Sequence, residues 1–425
     1  MIFSRYRVPA LFIFLSLCTA CTNFEVSPVT NPSTSGIKFY GNQYGNFLRS
    51  FEGTAEGGYM FAGYAYTSDT QNAQGFIQIC DKRGNIVWYK TYGGANIDRF
   101  DVVHPTSDGG FIAEGVTASY GNASVHHDFD YDEYLVKTDA QGIVQWKKTF
   151  GGTLDDQFFD VKETPDHGFV AVGVIDNYNT NVVKTDQNGD TLWTRQLNQA
   201  KQLNMLNEAI WEASVSIGPN GDIAIATYST YDVIATNSFV GNPTFTYLTA
   251  SGSVIVPEII YKSFGTSPPY QGSFNYSGLN IEKIVSMVDG FIIALTMPVQ
   301  SLNPVVLIKV DFNGNLIWSQ KYFGLGTAFF STVINNSEGG VLISGGTVDA
   351  SGVNNIWLLN TDSKGSNLWE KFIPISKFGA WAVGAVPLGN GFAVGVNLNP
   401  PLSYHADFFG FLTIDQNGKI IEQSK

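Results

Sequence analysis

Apolar residues in this chain come in short runs cut by Gly, Asn and Asp. Phe111-Ile112-Ala113, Val305-Val306-Leu307-Ile308 and Ile356-Trp357-Leu358-Leu359 are apolar at successive positions. Strands buried on both faces read this way. Beyond the N-terminal segment, no helical period near 3.6 residues persists for more than two turns. The pattern predicts an all-β chain of short strands joined by tight turns.

The turns follow two phrases. The first is Asp-x-x-Gly-x-x-x-Trp, at Asp81…Gly84…Trp88, Asp139…Gly142…Trp146, Asp186…Gly189…Trp193, Asp311…Gly314…Trp318 and Asp362…Gly365…Trp369. Two degenerate copies complete the set: Thr249…Gly252…Val256 lacks Asp and Trp, and Asp415…Gly418…Glu422 lacks Trp. Gly supplies a positive φ at a tight turn, and Asp bonds the turn backbone. Trp opens the next strand, where its ring can dock onto a neighbouring repeat. The second phrase is a Gly-rich turn before an apolar strand, as in Glu56-Gly57-Gly58-Tyr59, Asp108-Gly109-Gly110-Phe111 and Asp166-His167-Gly168-Phe169. One copy precedes each copy of the first phrase, so each repeat carries four strands.

Turn glycines 84, 142, 189, 252, 314, 365 and 418 lie 47 to 63 residues apart. Four antiparallel strands repeated seven times predict a seven-bladed β-propeller, since one repeat cannot bury its own faces. The blades are placed at about 46–92, 98–149, 156–197, 208–262, 278–322, 329–373 and 379–424. Ile37 to Tyr40 matches the end of a fourth strand, as in Lys90-Thr91-Tyr92-Gly93, and is expected to pair with the last blade and fasten the ring. The Asp, turn Gly and Trp phrase resembles the Trp-docked repeat of quinoprotein-like (PQQ-like) β-propellers, and the Gly-Gly turns resemble propeller lipoproteins of Bacteroidota. The resemblance implies the fold. The vicinal cysteines that face the quinone in many of those enzymes are absent, so no quinone is expected.

The N-terminus adds an address. Arg5 and Arg7 precede an apolar stretch ending Leu17-Cys18-Thr19-Ala20-Cys21. Residues 1–20 read as a secretory signal too short for a stable membrane span. The stretch resembles the lipobox of bacterial lipoproteins, with Cys18 where that motif usually has Leu. By that resemblance Cys21 becomes the lipidated N-terminus; the other reading is an ordinary cleaved signal with Cys21 as a free thiol. Residues 21–36, rich in Ser, Thr, Pro and Asn, read as a flexible tether, and 37–425 as the propeller. The expected address is the outer membrane, facing the periplasm or the cell surface.

Net charge is −13, and losing Arg5 and Arg7 with the signal takes it to −15. So acidic a chain repels nucleic-acid backbones. A monomer is expected, bound to the membrane through its lipid and partnered by an envelope protein or glycan.

Candidate chemistry is sparse. The loop Thr117 to Glu133 holds His126-His127-Asp128-Phe129-Asp130-Tyr131-Asp132-Glu133. Asp128, Asp130, Asp132 and Glu133 are candidate calcium ligands; a solvated acidic loop and a transition metal on the histidines are the other readings. Asp98 and Asp156 follow Gly-Gly loops and either line a channel mouth or bond the loop backbone. Tyr120, Tyr131 and Tyr178 crowd the same face, as a ligand platform or as covers for strand ends. No catalytic motif is present, and no cofactor beyond that candidate calcium is expected. The chain reads as a lipid-anchored, non-catalytic binding scaffold; the alternative is a glycan- or peptidoglycan-active enzyme using channel carboxylates.

Overall fold

The computed structural model describes residues 38–41, 45–66, 72–120, 131–151, 156–175, 179–197, 209–233, 238–261, 283–296, 303–374, 379–389, 391–399 and 408–421. Every regular element among them is a β-strand. Strand β1 (Lys38–Tyr40) stands apart from the blades in sequence. Blade 1 is β2 (Asn46–Gly53), β3 (Tyr59–Tyr66), β4 (Ala73–Cys80) and β5 (Ile86–Tyr92). Blade 2 is β6 (Asp98–Pro105), β7 (Phe111–Thr117), β8 (Asp132–Thr138) and β9 (Val144–Phe150). Blade 3 is β10 (Gln157–Glu163), β11 (Phe169–Ile175), β12 (Asn179–Thr185) and β13 (Thr191–Leu197). Blade 4 is β14 (Ala209–Ile217), β15 (Ile223–Val233), β16 (Ser238–Leu248) and β17 (Val254–Ile260). Blade 5 is β18 (Lys283–Met287), β19 (Gly290–Thr296), β20 (Val305–Val310) and β21 (Leu316–Tyr322). Blade 6 is β22 (Thr327–Asn335), β23 (Val341–Val348), β24 (Asn354–Thr361) and β25 (Asn367–Pro374). Blade 7 is β26 (Gly379–Leu388), β27 (Gly391–Asn399), β28 (Phe408–Asp415) and β29 (Ile420–Ile421), with β1 added.

Each blade is an antiparallel meander, and the first strands touch one another in turn from β2 to β26 and back to β2. The chain is therefore a seven-bladed β-propeller, with first strands innermost. The turns that shape each blade work as their residues predict. Asp81 Oδ1 accepts from Arg83 N and Asn85 N at 2.8 Å each, around Gly84 at φ 73°. Asp139, Asp186, Asp311, Asp362 and Asp415 repeat this arrangement. In the degenerate fourth repeat Thr249 Oγ1 takes over, accepting from Ser253 N at 3.0 Å.

Neighbouring blades are held by the tryptophans. A Cβ placed on Gly142 would lie 2.8 Å from the Trp88 ring; on Gly189, 2.9 Å from Trp146; on Gly252, 3.0 Å from Trp193; on Gly365, 2.8 Å from Trp318. Each ring thus lies on the turn glycine of the next blade. Glycine is needed there twice over, for its φ and for the indole above it. Trp369 instead packs near Phe392 of blade 7, with centroids 6.5 Å apart, and Gly418 lies under the Lys371 stem. A second clamp ends the fourth strand. Tyr92 Oη donates to Gly142 O at 2.9 Å and Tyr261 Oη to Gly314 O at 2.9 Å. Tyr322 bonds Gly365 O, and Arg195 Nη1 donates to Gly252 O at 2.5 Å.

The last seam closes with the N-terminal strand. Lys38, Phe39 and Tyr40 pair with Phe411, Gly410 and Phe409 of β28, collinear with β29, which pairs at Thr413 and Ile414. Two distant parts of the chain thus build one outer strand. Tyr40 takes the place of Tyr92 and donates to Gly84 O of blade 1 at 2.6 Å. Asn397 closes the same seam from within, accepting from Leu48 N at 2.9 Å and donating to Leu48 O at 2.7 Å.

Two outcomes are expected in denaturant unfolding. Trp88→Ala lowers stability by about 2–3 kcal/mol, since a half-buried indole leaves a gap over Gly142. Tyr40→Phe lowers it by about 1 kcal/mol, the net worth of one hydrogen bond. An unchanged midpoint for Trp88→Ala would remove inter-blade docking as the source of cohesion.

Candidate functional site

Charge is scarce in this chain, yet the innermost strands carry a concentration of it. Six first strands hold a bulge, with Arg49, Asp101, Phe159, Trp211, Ser331 and Val383 as the extra residues. A bulge breaks the in-out alternation and re-aims a side chain. In blades 1 and 2 the residue released is charged. Arg49 Nε donates to Asp101 Oδ1 at 2.9 Å, Arg99 Nε to Asp101 Oδ2 at 3.1 Å, and Gln157 Nε2 approaches Oδ2 at 3.4 Å. One carboxylate thus ties blades 1, 2 and 3. Burial alone would raise the Asp101 pKa, but Arg99 and Arg49 outweigh it and hold the group below its ordinary value.

Aromatic rings stand beside these guanidinium groups. Phe47 stacks on Tyr64 at 4.9 Å, and Tyr66 meets Phe47 at 6.2 Å and Tyr64 at 6.0 Å, both edge-on. The Arg99 guanidinium lies 5.8 Å from the Tyr131 ring centroid. Phe47 and Arg99 open first strands, Tyr64 and Tyr66 end a second strand, and Tyr131 precedes a third, which puts all of them at one mouth of the ring. Arg49 is 51% exposed and Arg99 30%. Burial pushes the Tyr64 hydroxyl up to about 12, so it stays protonated.

Toward the opposite mouth, Asp160 links three blades. Its Oδ2 accepts from Ser214 Oγ at 2.7 Å and from Val215 N at 3.1 Å, while Lys162 Nζ lies 3.4 Å and His104 Nε2 3.5 Å from Oδ1. His104 Nδ1 reaches Glu52 Oε1 at 2.8 Å. Burial opposes ionisation of Asp160, but Lys162, Lys283 and His104 prevail and hold its pKa far below the ordinary range.

Glu114 departs from its repeat. Where it pairs beside the bulge, other blades have Ala62, Val172, Ser344 and Gly395. It is 0% exposed, and neither carboxyl oxygen has a hydrogen-bond partner. Burial raises its pKa well above the ordinary value, and Asp101 and Asp160 add to the shift. Glu133 is also fully buried and shifted upward, chiefly by burial and then by Asp156, with Asn181 Nδ2 3.4 Å from its Oε2.

The residues marked out in the sequence fall into three groups. Asp98 is buried and engaged from two sides: it accepts from Gly94 N of its own loop and from Ser119 Oγ beyond β7, at 2.7 Å each, and from Thr117 Oγ1 at the end of β7. Asp156 is buried over Gly151. Tyr120 braces the same loop, donating to Gly93 O at 2.7 Å beneath Lys147, whose Nζ is 3.4 Å from the ring centroid. Tyr131 belongs to the mouth. Asp128, Asp130 and Tyr178 lie outside the described residues. Asp132 and Glu133 are successive buried residues of β8, which places them on opposite faces of blade 2. Among the described residues no group of three or more His, Cys, Asp or Glu is placed to hold a metal ion.

Arg49, Arg99, Asp101 and Asp160 were not singled out from the sequence. Their signal was present: charged residues inside first strands that must surround the axis, in a chain where only 14% of residues are charged.

Fold and mouth together define a propeller with a cationic, aromatic rim on blades 1 and 2. No protein-family model matches the chain, and no curated protein matches it. Among solved structures it is similar to the β-propeller domain of the Trilobed protease from Pyrococcus furiosus: 9% identity, TM-score 0.46, covering 90% of this chain and 96% of that one. It is also similar to a puromycin hydrolase mutant, at 12% identity and TM-score 0.49, covering 89% of this chain and 53% of that one. An α-L-arabinanase from Penicillium chrysogenum aligns at 11% identity and TM-score 0.46, covering 73% of this chain and 92% of that one. At these levels function is argued from the site itself.

The buried carboxyl of Glu114 sets a pH dependence. In acid both folded and unfolded chains hold its proton. As pH rises past about 4.5 the unfolded chain releases it while the folded chain retains it, so stability falls. Glu114→Gln is therefore expected to raise the melting temperature at pH 8 by about 2–4 °C, and by less at pH 4. Thermal scans at the two pH values check this; an equal change at both would contradict it.

Proposed function

We propose that this protein is a lipid-anchored, non-catalytic binding propeller of the cell envelope, and that it engages its ligand at the mouth formed by blades 1 and 2. The observation carrying this reading is the pairing of partly exposed Arg49 and Arg99 with the half-buried ring cluster Phe47, Tyr64 and Tyr66. Arginine and tyrosine side chains favour recognition, because they bring large rigid surfaces and directed donors at small entropic cost. The carboxylates nearest the axis support binding over catalysis. Asp101 is committed to Arg49 and Arg99, Asp160 to Lys162 and His104, and Glu114 is closed off from solvent. The anchor is Cys21, argued from the lipobox-like Leu17-Cys18-Thr19-Ala20-Cys21. The tether, residues 21–36, leads directly into the ring-closing strand β1.

Two experiments test this. Mass spectrometry of protein from its native membrane should find a diacylglyceryl-modified Cys21 at the N-terminus; an unmodified Cys21 thiol contradicts the anchor. Detergent-solubilised envelope material is then passed over immobilised protein. Wild type should retain protein or glycan, Arg49→Gln and Tyr64→Ala should lose it, and Lys148→Gln on an outer strand should not. Retention that ignores the mouth substitutions would overturn the reading.

A further inference from the structure

We infer that the blade 1–2 mouth recognises a saccharide bearing an isolated carboxylate, of the uronate type; this rests on the binding reading above. Three features of the mouth converge on that chemistry. First, Asp101 holds each guanidinium by its Nε, using one of the five donors a guanidinium carries. Holding Arg by Nε presents its terminal amino groups as a fixed fork, the geometry that suits a planar carboxylate. Second, two arginines share one carboxylate, so the Arg49–Asp101–Arg99 cluster itself carries one net positive charge in a chain whose net charge is −13. A ligand with one separated acid satisfies that charge at close range. A run of acids meets the repulsion of the whole protein. Third, the neighbouring surface is aromatic. Phe47, Tyr64 and Tyr66 present a cluster of edges and faces against which the C–H face of a sugar ring can pack. The protonated Tyr64 hydroxyl adds a hydrogen-bonding group suited to sugar hydroxyls.

The alternative of the same charge is an acidic peptide. A peptide offers its carboxylate on a flexible stem and needs main-chain partners along its length. The inner edges of β2 and β6 carry main-chain groups, but at Leu48 both N and O are already taken by the Asn397 amide. A flexible acidic side chain also loses rotamer freedom on binding that a carboxylate fixed to a ring does not. The rigid, ring-shaped ligand is the better match.

The test uses the full chain on an array. It carries oligogalacturonates, alginate oligomers and glucuronate-bearing xylo-oligosaccharides beside neutral galactan, mannan and xylan counterparts, with glutamate-containing peptides as a third arm. The expected result is retention of at least one uronate-bearing ligand over its neutral counterpart. Arg49→Gln should weaken it roughly tenfold or more, Tyr66→Ala should weaken it too, and Lys148→Gln should leave it unchanged. Thermal melting confirms that each variant is folded. Arg49→Lys, which keeps the charge but not the fork, should recover only part of the affinity. Preference for neutral sugars, preference for the peptides, or no retention on any arm overturns the inference. If the envelope-capture experiment still depends on the mouth, the binding reading survives that failure.

Discussion

An indole ring resting on a glycine of the neighbouring blade is the contact on which this fold depends. It sets blade spacing, because Trp88, Trp146, Trp193 and Trp318 each lie within about van der Waals distance of the next turn glycine. At Gly142, Gly252 and Gly365 the carbonyl of that glycine also accepts from a tyrosine or arginine of the preceding blade's fourth strand. One residue therefore serves as turn, floor and acceptor. A side chain there would strain the turn and push the ring away together.

Cohesion at the rim frees the inner strands from carrying all of it. First strands bear charged residues at bulges, and these knit blades 1 to 4 through Asp101 and Asp160. Such buried carboxylates are stable only because cations from their own and adjoining strands reach them. Arg49 and Arg99 are thus structural and exposed at once. They fasten blades and also face the mouth, where the ring cluster joins them. Structure and recognition share the same side chains here, which is how so charge-poor a chain can mount a charged mouth.

Much of the architecture was legible in the sequence. The Asp-x-x-Gly phrase places every outer hairpin, including the degenerate one at Thr249, since Thr can bond the turn as Asp does. Lys38-Phe39-Tyr40-Gly41 was readable as a displaced strand end by its likeness to Lys90-Thr91-Tyr92-Gly93, and its pairing with β28 follows. The site was less legible. Asp98 admitted two readings, channel mouth or loop brace; it accepts from Gly94 N of its own loop and from the hydroxyls of Thr117 and Ser119, partners 19 and 21 residues on that no local pattern marks. Arg49 and Asp101 face one another across a blade seam, and no local pattern pairs residues 52 positions apart. Their placement depends on bulges, which break the period that sequence reading relies on.

A double-mutant cycle of Trp146→Ala with Gly189→Ala tests the central contact most directly, read as unfolding free energy. Gly189 sits at φ 78°, and a Cβ there would meet the Trp146 ring at 2.9 Å. The account predicts that Gly189→Ala costs more with the indole present than without it, a coupling of about 1 kcal/mol or more. Strict additivity would contradict it, leaving the glycine a turn residue alone and the indole a passive cover.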